Sequence, residues 1–262
     1  MIEKKAAMGR REFLFKSAAF TIGSILGLSP LSRAFAFENT NFQPRLALII
    51  DDIGFSRARL DIFLELETVI TFAVLPRLPL SLSLAEEIHS LGYEIMLHQP
   101  MEPIDANIDP GPGAVYVGDD EGKIDIVLDE NISEIPFATG INNHMGSRFT
   151  ECRREMTNVI RVIKNKGLFF VDSLTTNHST GYETAKRLNV AVAKRNIFLD
   201  SVLDVSAILG QLDKLKARAL RTGYAIGIGH PFPETAKAIE LFRASLNDSN
   251  IQMVNISSII PG

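Results

Sequence analysis

Apolar runs alternate with amphipathic segments from residue 37 to the end of the chain, and this alternation predicts strands separated by helices. The clearest run covers residues 46–50, where five successive apolar residues are typical of a strand buried on both faces. Helical spacing is found over residues 57–66, 80–91, 123–135 and 151–166. Further strands are predicted over 69–75, 94–97, 137–141, 168–171, 190–199 and 224–229, with 251–256 as a candidate eighth.

Strands at this spacing, each followed by a helical stretch, imply right-handed βαβ units and hence a parallel sheet. We therefore predict a single α/β domain whose sheet is closed, or nearly closed, into a barrel. A long loop is expected over residues 103–122, which are rich in proline and glycine, and such a loop could cover a site.

The first predicted strand ends in two adjacent carboxylates, Asp51 and Asp52, followed closely by Gly54. Successive strand residues point to opposite faces, so both carboxylates can serve one site only if the backbone turns between them. We expect Gly54 to permit that turn. The alternative is an aspartate pair that caps the following helix.

Ionisable side chains also follow several later strands. His98, His144 and His230 come directly after the third, fourth and seventh predicted strands, and Asp172 and Asp200 end the fifth and sixth. A single histidine of this kind is more often a hydrogen-bonded structural residue. So many ionisable groups at the carboxyl ends of parallel strands, however, favour a functional site on that rim.

Two neutral imidazoles and one carboxylate are typical ligands of a hydrolytic zinc site, which keeps a further position for water. Asp52, His98 and His144 could supply this set. Asp51 would then accept a proton from the metal-activated water, and His230 could donate one to a weak leaving group such as an amine. The predicted chemistry is metal-assisted amide hydrolysis.

The first 36 residues have the pattern of an export signal. A basic head precedes a short apolar centre at residues 18–28, and Ala34-Phe35-Ala36 forms a small-x-small cleavage site. Arg10-Arg11 resembles the twin-arginine export motif, with an ordinary export signal as the alternative. The apolar centre is too short to span a membrane. We therefore expect residues 37–262 to be periplasmic or secreted, without stable membrane insertion.

The net charge and the cysteine content restrict the classes of partner and of covalent or metal site. Without the predicted signal, residues 37–262 hold 21 basic and 29 acidic residues, a formal net charge of −8, which makes nucleic acid an unexpected partner. Cys152 is the only cysteine of the sequence, so an intrachain disulfide and a thiolate metal cluster are excluded.

The motifs at the predicted rim resemble the polysaccharide deacetylases, and most closely the divergent branch of that family. They span nearly all of residues 45–257 and are Asp51-Asp52, His98-Gln99-Pro100-Met101-Glu102-Pro103, Asn142-Asn143-His144-Met145-Gly146-Ser147, Asp172-Ser173 and Gly229-His230-Pro231-Phe232-Pro233-Glu234-Thr235. The resemblance implies a distorted (β/α) barrel of about seven parallel strands over residues 37–262. It also implies a metal-dependent deacetylase that removes N- or O-acetyl groups from a carbohydrate, with Asp51 as the base and Asp52 as a metal ligand. The predicted ligand set of two imidazoles and one carboxylate favours zinc as the divalent metal.

One departure from that family concerns the metal ligands. Typical members place two histidine ligands four residues apart after the third strand, but the residue four past His98 is Glu102. We take His144 as the second imidazole, with Glu102 as the competing ligand. No counterpart of the family's arginine-containing third motif is evident. Arg148 is a candidate substrate contact or surface ion-pair residue, and Asp172 either orients a histidine or caps a turn.

Two further readings remain open. An exported binding or regulatory protein could keep the barrel without turnover, although the retained Asp51 and His230 argue against this. A glycosidase would leave the three rim histidines unexplained. The expected substrate is a carbohydrate of unidentified type, with peptidoglycan suggested by export and with Tyr116 and Phe232 as candidate stacking residues.

Overall fold

The computed structural model describes residues 43–246 and 249–260. The predicted export signal lies outside these residues. Among the helices that the structure describes, none is both long and apolar enough to cross a membrane.

Within the described residues, nine strands form one sheet in which all neighbouring pairs are parallel. They are β1 (Arg45–Ile53), β2 (Thr71–Val74), β3 (Glu94–Met101), β4 (Ala138–Met145), β5 (Phe169–Asp172), β6 (Val192–Lys194), β7 (Ile197–Phe198), β8 (Tyr224–Gly229) and β9 (Gln252–Met253). The spatial order is β6-β5-β4-β3-β2-β1-β8-β7, with β9 paired to β1. The sheet curls into a distorted barrel, so the predicted fold class is confirmed.

Seven α-helices in the described residues cover the outside of this sheet. They are α1 (Arg57–Leu64), α2 (Ser81–Ser90), α3 (Glu121–Glu134), α4 (Arg153–Asn165), α5 (Gly181–Arg187), α6 (Val205–Thr222) and α7 (Pro233–Ala244). The side chains of Ser56, Asp120 and Asp204 cap the first turns of α1, α3 and α6 by accepting backbone N–H bonds. Between β3 and α3 lies the predicted long loop.

Strand alternation divides the core into two layers. Leu48 and Ile50 of β1 face outward into the cluster packed beneath the helices. Ala47 and Ile49 face inward, into a second cluster that fills the lumen of the curled sheet. The next inward position on β1 is Asp51, so the lumen changes from apolar to polar toward the carboxyl ends of the strands.

The opposite end of the lumen is closed by the C-terminal segment. Ile256, Ile259 and Ile260 belong to the lumen cluster. The backbone N–H of Ile256 donates to Thr71 Oγ1 at 3.2 Å, and that of Ser257 donates to Glu94 Oε2 at 3.3 Å. Because this end is plugged, access to the lumen is from the carboxyl ends of the strands.

The curled sheet has a seam at residues 195–196, and here the prediction of a single strand over 190–199 was wrong. β6 pairs with β5 at one edge of the sheet, whereas β7 pairs with β8 at the other. Arg195 reaches toward β5 by donating to the carbonyl oxygens of Ser173 and Leu174, at 2.6 and 2.8 Å. Asn196 Oδ1 accepts the N–H of Ile226 on β8 at 2.9 Å. Side chains therefore span the seam.

Candidate active site

A bulge in β1 turns both aspartates toward the lumen. Between Ile50 and Ile53, β1 advances three residues while its partner β2 advances two. The extra residue is absorbed at Asp52, whose φ of 58° lies in the left-handed region that aspartate tolerates better than most residues. The turn was expected at Gly54, which does have a φ of 136°, but the reversal begins at Asp52 itself.

Asn142 joins the first carboxylate to the first histidine. Its Nδ2 donates to Asp51 Oδ1 at 2.8 Å, and its Oδ1 lies 2.8 Å from His98 Nδ1. Because the amide nitrogen is used on Asp51, the amide oxygen must accept from His98, which places a proton on Nδ1. In the neutral imidazole, the other nitrogen, Nε2, then presents a lone pair to the lumen.

Asp52, His98 and His144 form a compact triangle of possible ligand atoms. Asp52 Oδ1 lies 3.2 Å from His98 Nε2 and 2.9 Å from His144 Nδ1, and the two nitrogens are 3.1 Å apart. Asp52 Oδ1 is buried and has no hydrogen-bond partner among the described residues despite this proximity. Three electron-rich atoms thus converge on one point.

This donor set fits a small divalent cation. Zinc–nitrogen and zinc–oxygen bonds of about 2.0–2.1 Å in tetrahedral geometry would separate ligand atoms by roughly 3.3 Å, close to the sides of the triangle. A bound cation would also give the orphaned oxygen of Asp52 its missing partner. The chemistry and spacing of the three groups therefore make this a candidate metal site.

His230 stands across the lumen from this triangle and is held by Asp200. Asp200 Oδ1 lies 3.0 Å from His230 Nδ1, while Asp200 Oδ2 accepts the backbone N–H of His230 and the hydroxyl of Thr235 at 2.6 and 2.8 Å. His230 Nε2 lies 3.9 Å from Asp52 Oδ2. The ring therefore presents Nε2 to the same space as the triangle.

The adjacent aspartates have opposite pKa shifts. Burial raises the pKa of Asp51, and the neighbouring Asp52 adds to this, against the opposing influence of His98, His230 and Asn142. Burial also acts to raise the pKa of Asp52, but the imidazoles of His144 and His98 outweigh it and hold the pKa well below its usual range. Neighbouring carboxylates with divergent pKa values are typical of acid–base sites.

The pKa values of His98 and His230 are raised. Burial lowers the pKa of His230, but the hydrogen bond to Asp200 and the charges of Asp51 and Asp52 raise it to about 9. Burial likewise opposes protonation of His98, whose pKa is nevertheless raised by Asp51 and Asp52. In the ion-free protein a proton therefore competes with a metal for the triangle.

A cavity of about 580 Å³ opens onto these groups. Its wall includes both aspartates, the three rim histidines and the polar side chains of Asn143, Ser173, Thr175 and Arg195. Asp52, Met145 and Leu174 all line it with positive φ values of 58°, 51° and 48°. Strained backbone of this kind is concentrated at functional sites.

Other predicted residues lie elsewhere. Glu102 accepts from Arg148 Nη1 at 2.9 Å and from the N–H of Val117 at 2.7 Å. These bonds join the long loop to the segment between β4 and α4. Arg148 is half exposed and does not line the cavity. Asp172 accepts from the Ser179 hydroxyl and from the N–H of Leu174, so it organises the turn that follows β5.

Sequence reasoning missed the partners that orient the histidines. The sequence indicates no distinct role for Asp200, because it ends a predicted strand just as the other rim residues do. Asn142 belongs to one of the rim motifs, but the sequence does not indicate what its amide contacts. Arg195, which lines the cavity, has its pKa lowered by burial, an effect that the charges of Asp51 and Asp172 oppose. Arg195 lies within residues 190–199, which the sequence predicts as one continuous strand, so its position at the cavity could not be expected.

Comparison with known proteins gives a family match. The sequence profile described as divergent polysaccharide deacetylase matches residues 48–260. A curated relative, the uncharacterized protein YibQ of Escherichia coli K12, is 31% identical over 217 residues, which is 82% of this chain and 67% of that protein.

Solved structures resemble the fold. The uncharacterized protein ATU2773 of Agrobacterium tumefaciens has a TM-score of 0.78 at 25% identity, with 83% of this chain and 89% of that chain covered. A mutant of BA3943 from Bacillus anthracis, a CE4 family pseudoenzyme with restored activity, has a TM-score of 0.57 at 15% identity over 82% and 67% of the two chains. The catalytic domain of a peptidoglycan N-acetylglucosamine deacetylase from Eubacterium rectale scores 0.55 at 13% identity over 83% and 90%. The last two likenesses concern the fold alone.

Proposed function

The chain belongs to the divergent polysaccharide deacetylase family, and we propose that it is a metal-dependent hydrolase that removes acetyl groups from a carbohydrate in the cell envelope. One observation carries the proposal: the triangle of Asp52, His98 and His144 shares a cavity with Asp51 and His230. Ligands, base and acid are all needed for amide hydrolysis, whereas a structural metal needs neither base nor acid.

Asp52, His98 and His144 would hold the cation, with zinc as the metal that two imidazoles and a carboxylate favour. Such an ion, when bound, makes water more acidic and polarises a carbonyl group. Asn142 keeps the proton of His98 on Nδ1, so the lone pair of Nε2 remains directed at the site.

Asp51 is proposed as the general base. It takes a proton from water as the water oxygen forms a bond to the acyl carbon of the substrate. The raised pKa of Asp51, caused mainly by burial, brings this carboxylate closer to the value at which a base works well near neutral pH. The hydrogen bond from Asn142 Nδ2 fixes the orientation of its carboxylate.

His230 is proposed as the general acid. When the bond between the acyl carbon and the substrate nitrogen breaks, Nε2–H of His230 donates a proton to that nitrogen. The products are acetate and a free amine. Asp200 keeps Nδ1 engaged, and its charge helps to raise the pKa of His230 to about 9, so the ring carries the required proton at neutral pH.

A carbohydrate substrate is supported by family membership and by the side chains around the acid. The rings of Phe198 and Phe232 have centroids 5.2 and 6.1 Å from that of His230, and apolar rings of this kind can stack on a pyranose. Peptidoglycan-type N-acetyl sugars agree with the predicted export. Phe232 was expected in this role.

The test is metal content of the purified mature protein by elemental analysis, followed by acetate release from acetylated chito-oligosaccharides. We expect near-stoichiometric zinc and metal-dependent acetate release. A folded protein that takes up no metal even after zinc is added would overturn the proposal. It would also favour the second candidate, an exported binding protein that keeps the barrel without turnover.

A further inference from the structure

A second cavity, of about 270 Å³, adjoins the proposed metal ligands on the side away from His230. Asp52, His144 and Met145 line both this cavity and the larger one. The two spaces therefore meet at the edge of the ligand triangle, where the bond to be hydrolysed would lie.

The two cavities are lined by different types of residue. The smaller one is lined by Phe55, Leu75, Leu78, Met145 and four prolines. Apart from Asp52 and His144 at the triangle, its one ionisable lining residue among those that the structure describes is Asp109, whose carboxylate accepts the N–H of Gly111. A sugar ring placed there would find few side chains to replace the hydrogen bonds that it makes with water.

This wall is held in place before any ligand binds. The long loop contributes Pro110 and Pro112, and just beyond them the carbonyl oxygen of Gly113 accepts from Gln99 Nε2 and Asn131 Nδ2, at 2.9 and 2.8 Å. Gln99 and Asn131 are fully buried and bonded to each other at 2.8 Å. A cavity built this way is preformed, so filling it requires little ordering of the protein.

An acetyl group would fill little of this space. Its methyl group is close in size to a water molecule, which occupies about 30 Å³ in the liquid. Apolar space left unfilled beside a bound acyl group forfeits the free energy of burial that a longer chain would gain, about 0.8 kcal/mol per CH₂.

We propose that the site also removes acyl groups longer than acetyl and prefers them, namely saturated chains of about four to eight carbons that lie in the smaller, apolar-lined cavity while the sugar occupies the larger one. The inference rests on the proposed function and refines its substrate. Both cavities reach the triangle, and the mainly apolar side chains that line the smaller one favour the acyl chain as its occupant.

The experiment compares kcat/KM for chitotetraose N-acylated with acetyl, butanoyl, hexanoyl or octanoyl groups, with free amine as the readout and zinc-loaded protein as the enzyme. We expect kcat/KM to rise up to hexanoyl, by at most about fourfold per CH₂. Hexanoate should also bind the protein more tightly than acetate in calorimetry.

The variant Pro112→Trp fills the cavity from its exposed loop side. It should lower the ratio of kcat/KM for the hexanoyl substrate to that for the acetyl substrate by about tenfold or more, because only the longer chain needs the space. Pro136→Trp is the matched control. Pro136 is also exposed but lies before β4, at the opposite end of the barrel, so chain-length preference should be unchanged.

Three results would overturn the inference, and they show whether the proposed function fails with it. If acetyl is hydrolysed as fast as the longer chains, or if Pro112→Trp slows all four substrates equally, the apolar cavity does not hold the acyl chain and the proposed deacetylase function stands. If no member of the series is hydrolysed, the proposed function fails and this inference fails with it.

Discussion

The two sides of the rim orient a histidine through the same ring nitrogen but with partners of different charge. On the β3–β4 side, the neutral amide of Asn142 lies 2.8 Å from His98 Nδ1. On the β7–β8 side, the carboxylate of Asp200 lies 3.0 Å from His230 Nδ1. Each partner fixes the ring and favours a proton on it, but only the carboxylate does so with a negative charge.

This difference explains how one residue type can serve two purposes in one cavity. A metal ligand must be deprotonated on the nitrogen that faces the metal, and an amide orients the ring without adding negative charge. A general acid must carry a proton at neutral pH, which the buried carboxylate favours. The orienting groups of His98 and His230 thus differ in charge, in the sense that the proposed roles of metal ligand and general acid require.

The largest expected effect comes from breaking the β3–β4 side. His98→Ala should abolish stoichiometric zinc binding and reduce acetate release to background, because one corner of the ligand triangle is lost. His89→Ala is the matched control, since His89 is exposed on α2 and stacks on Phe137 at 4.0 Å between ring centroids. Retention of full metal content in His98→Ala would contradict the assignment.

A smaller loss is expected when the base is neutralised without disturbing the ligands. Asp51→Asn should lower kcat by about 10²–10⁴-fold, the usual contribution of a general base, while metal content stays at the wild-type level. Asparagine has nearly the same shape as aspartate, so the bond to Asn142 can be kept. Loss of zinc in this variant would instead make Asp51 a ligand, and the two aspartates would then be equivalent.

Replacing the carboxylate by an amide on the β7–β8 side tests the comparison directly. In the metal-free protein Asp200→Asn should shift the pKa of His230 from about 9 toward the ordinary value near 6.5, as followed by NMR titration. A raised pKa stabilises the folded state below the unfolded pKa, and that stability is lost as pH rises through the folded pKa.

The wild-type free energy of unfolding should therefore fall between pH 6.5 and 9, by as much as about 3 kcal/mol from His230, and this fall should be smaller in Asp200→Asn. Denaturant titrations in EDTA at the two pH values measure it. An equal fall in both proteins would mean that the charge of Asp200 does not set the proton on His230.

The smallest effect is expected at Arg148, outside both sides of the comparison. Its guanidinium is half exposed and bonded to Glu102, and exposed ion pairs contribute about 0–1 kcal/mol. Arg148→Ala should change the free energy of unfolding by less than about 1 kcal/mol. We expect kcat/KM to change by less than about twofold, and a larger increase in KM would identify Arg148 as a substrate contact.

Much of this rim could be predicted because the carboxyl ends of parallel strands lie at the same end of the barrel. His98, His144 and His230 each stand two residues beyond an inward-facing lumen position, so strand periodicity alone directs them to one space. That logic needs only the strand assignments, which the apolar runs supply.

The seam and the orienting residues could not be predicted in this way. The sequence predicts residues 190–199 as one strand. Only the pairing of β6 with β5 and of β7 with β8 shows that the two strands lie at opposite edges of the sheet. Asp200 and Asp172 look alike in sequence, as each ends a strand. Their different roles depend on contacts made after folding, to His230 in one case and to Ser179 in the other.

The bulge at Asp52 restricts which amino acid this position accepts. Its left-handed backbone is compatible with glycine, asparagine and aspartate, and costs more for most other residues. The ligand triangle requires a carboxylate or an imidazole. Glycine satisfies the backbone but offers no donor, and glutamate offers a donor but fits the backbone poorly. Aspartate meets both demands, so the backbone conformation and the ligand chemistry together favour aspartate at position 52.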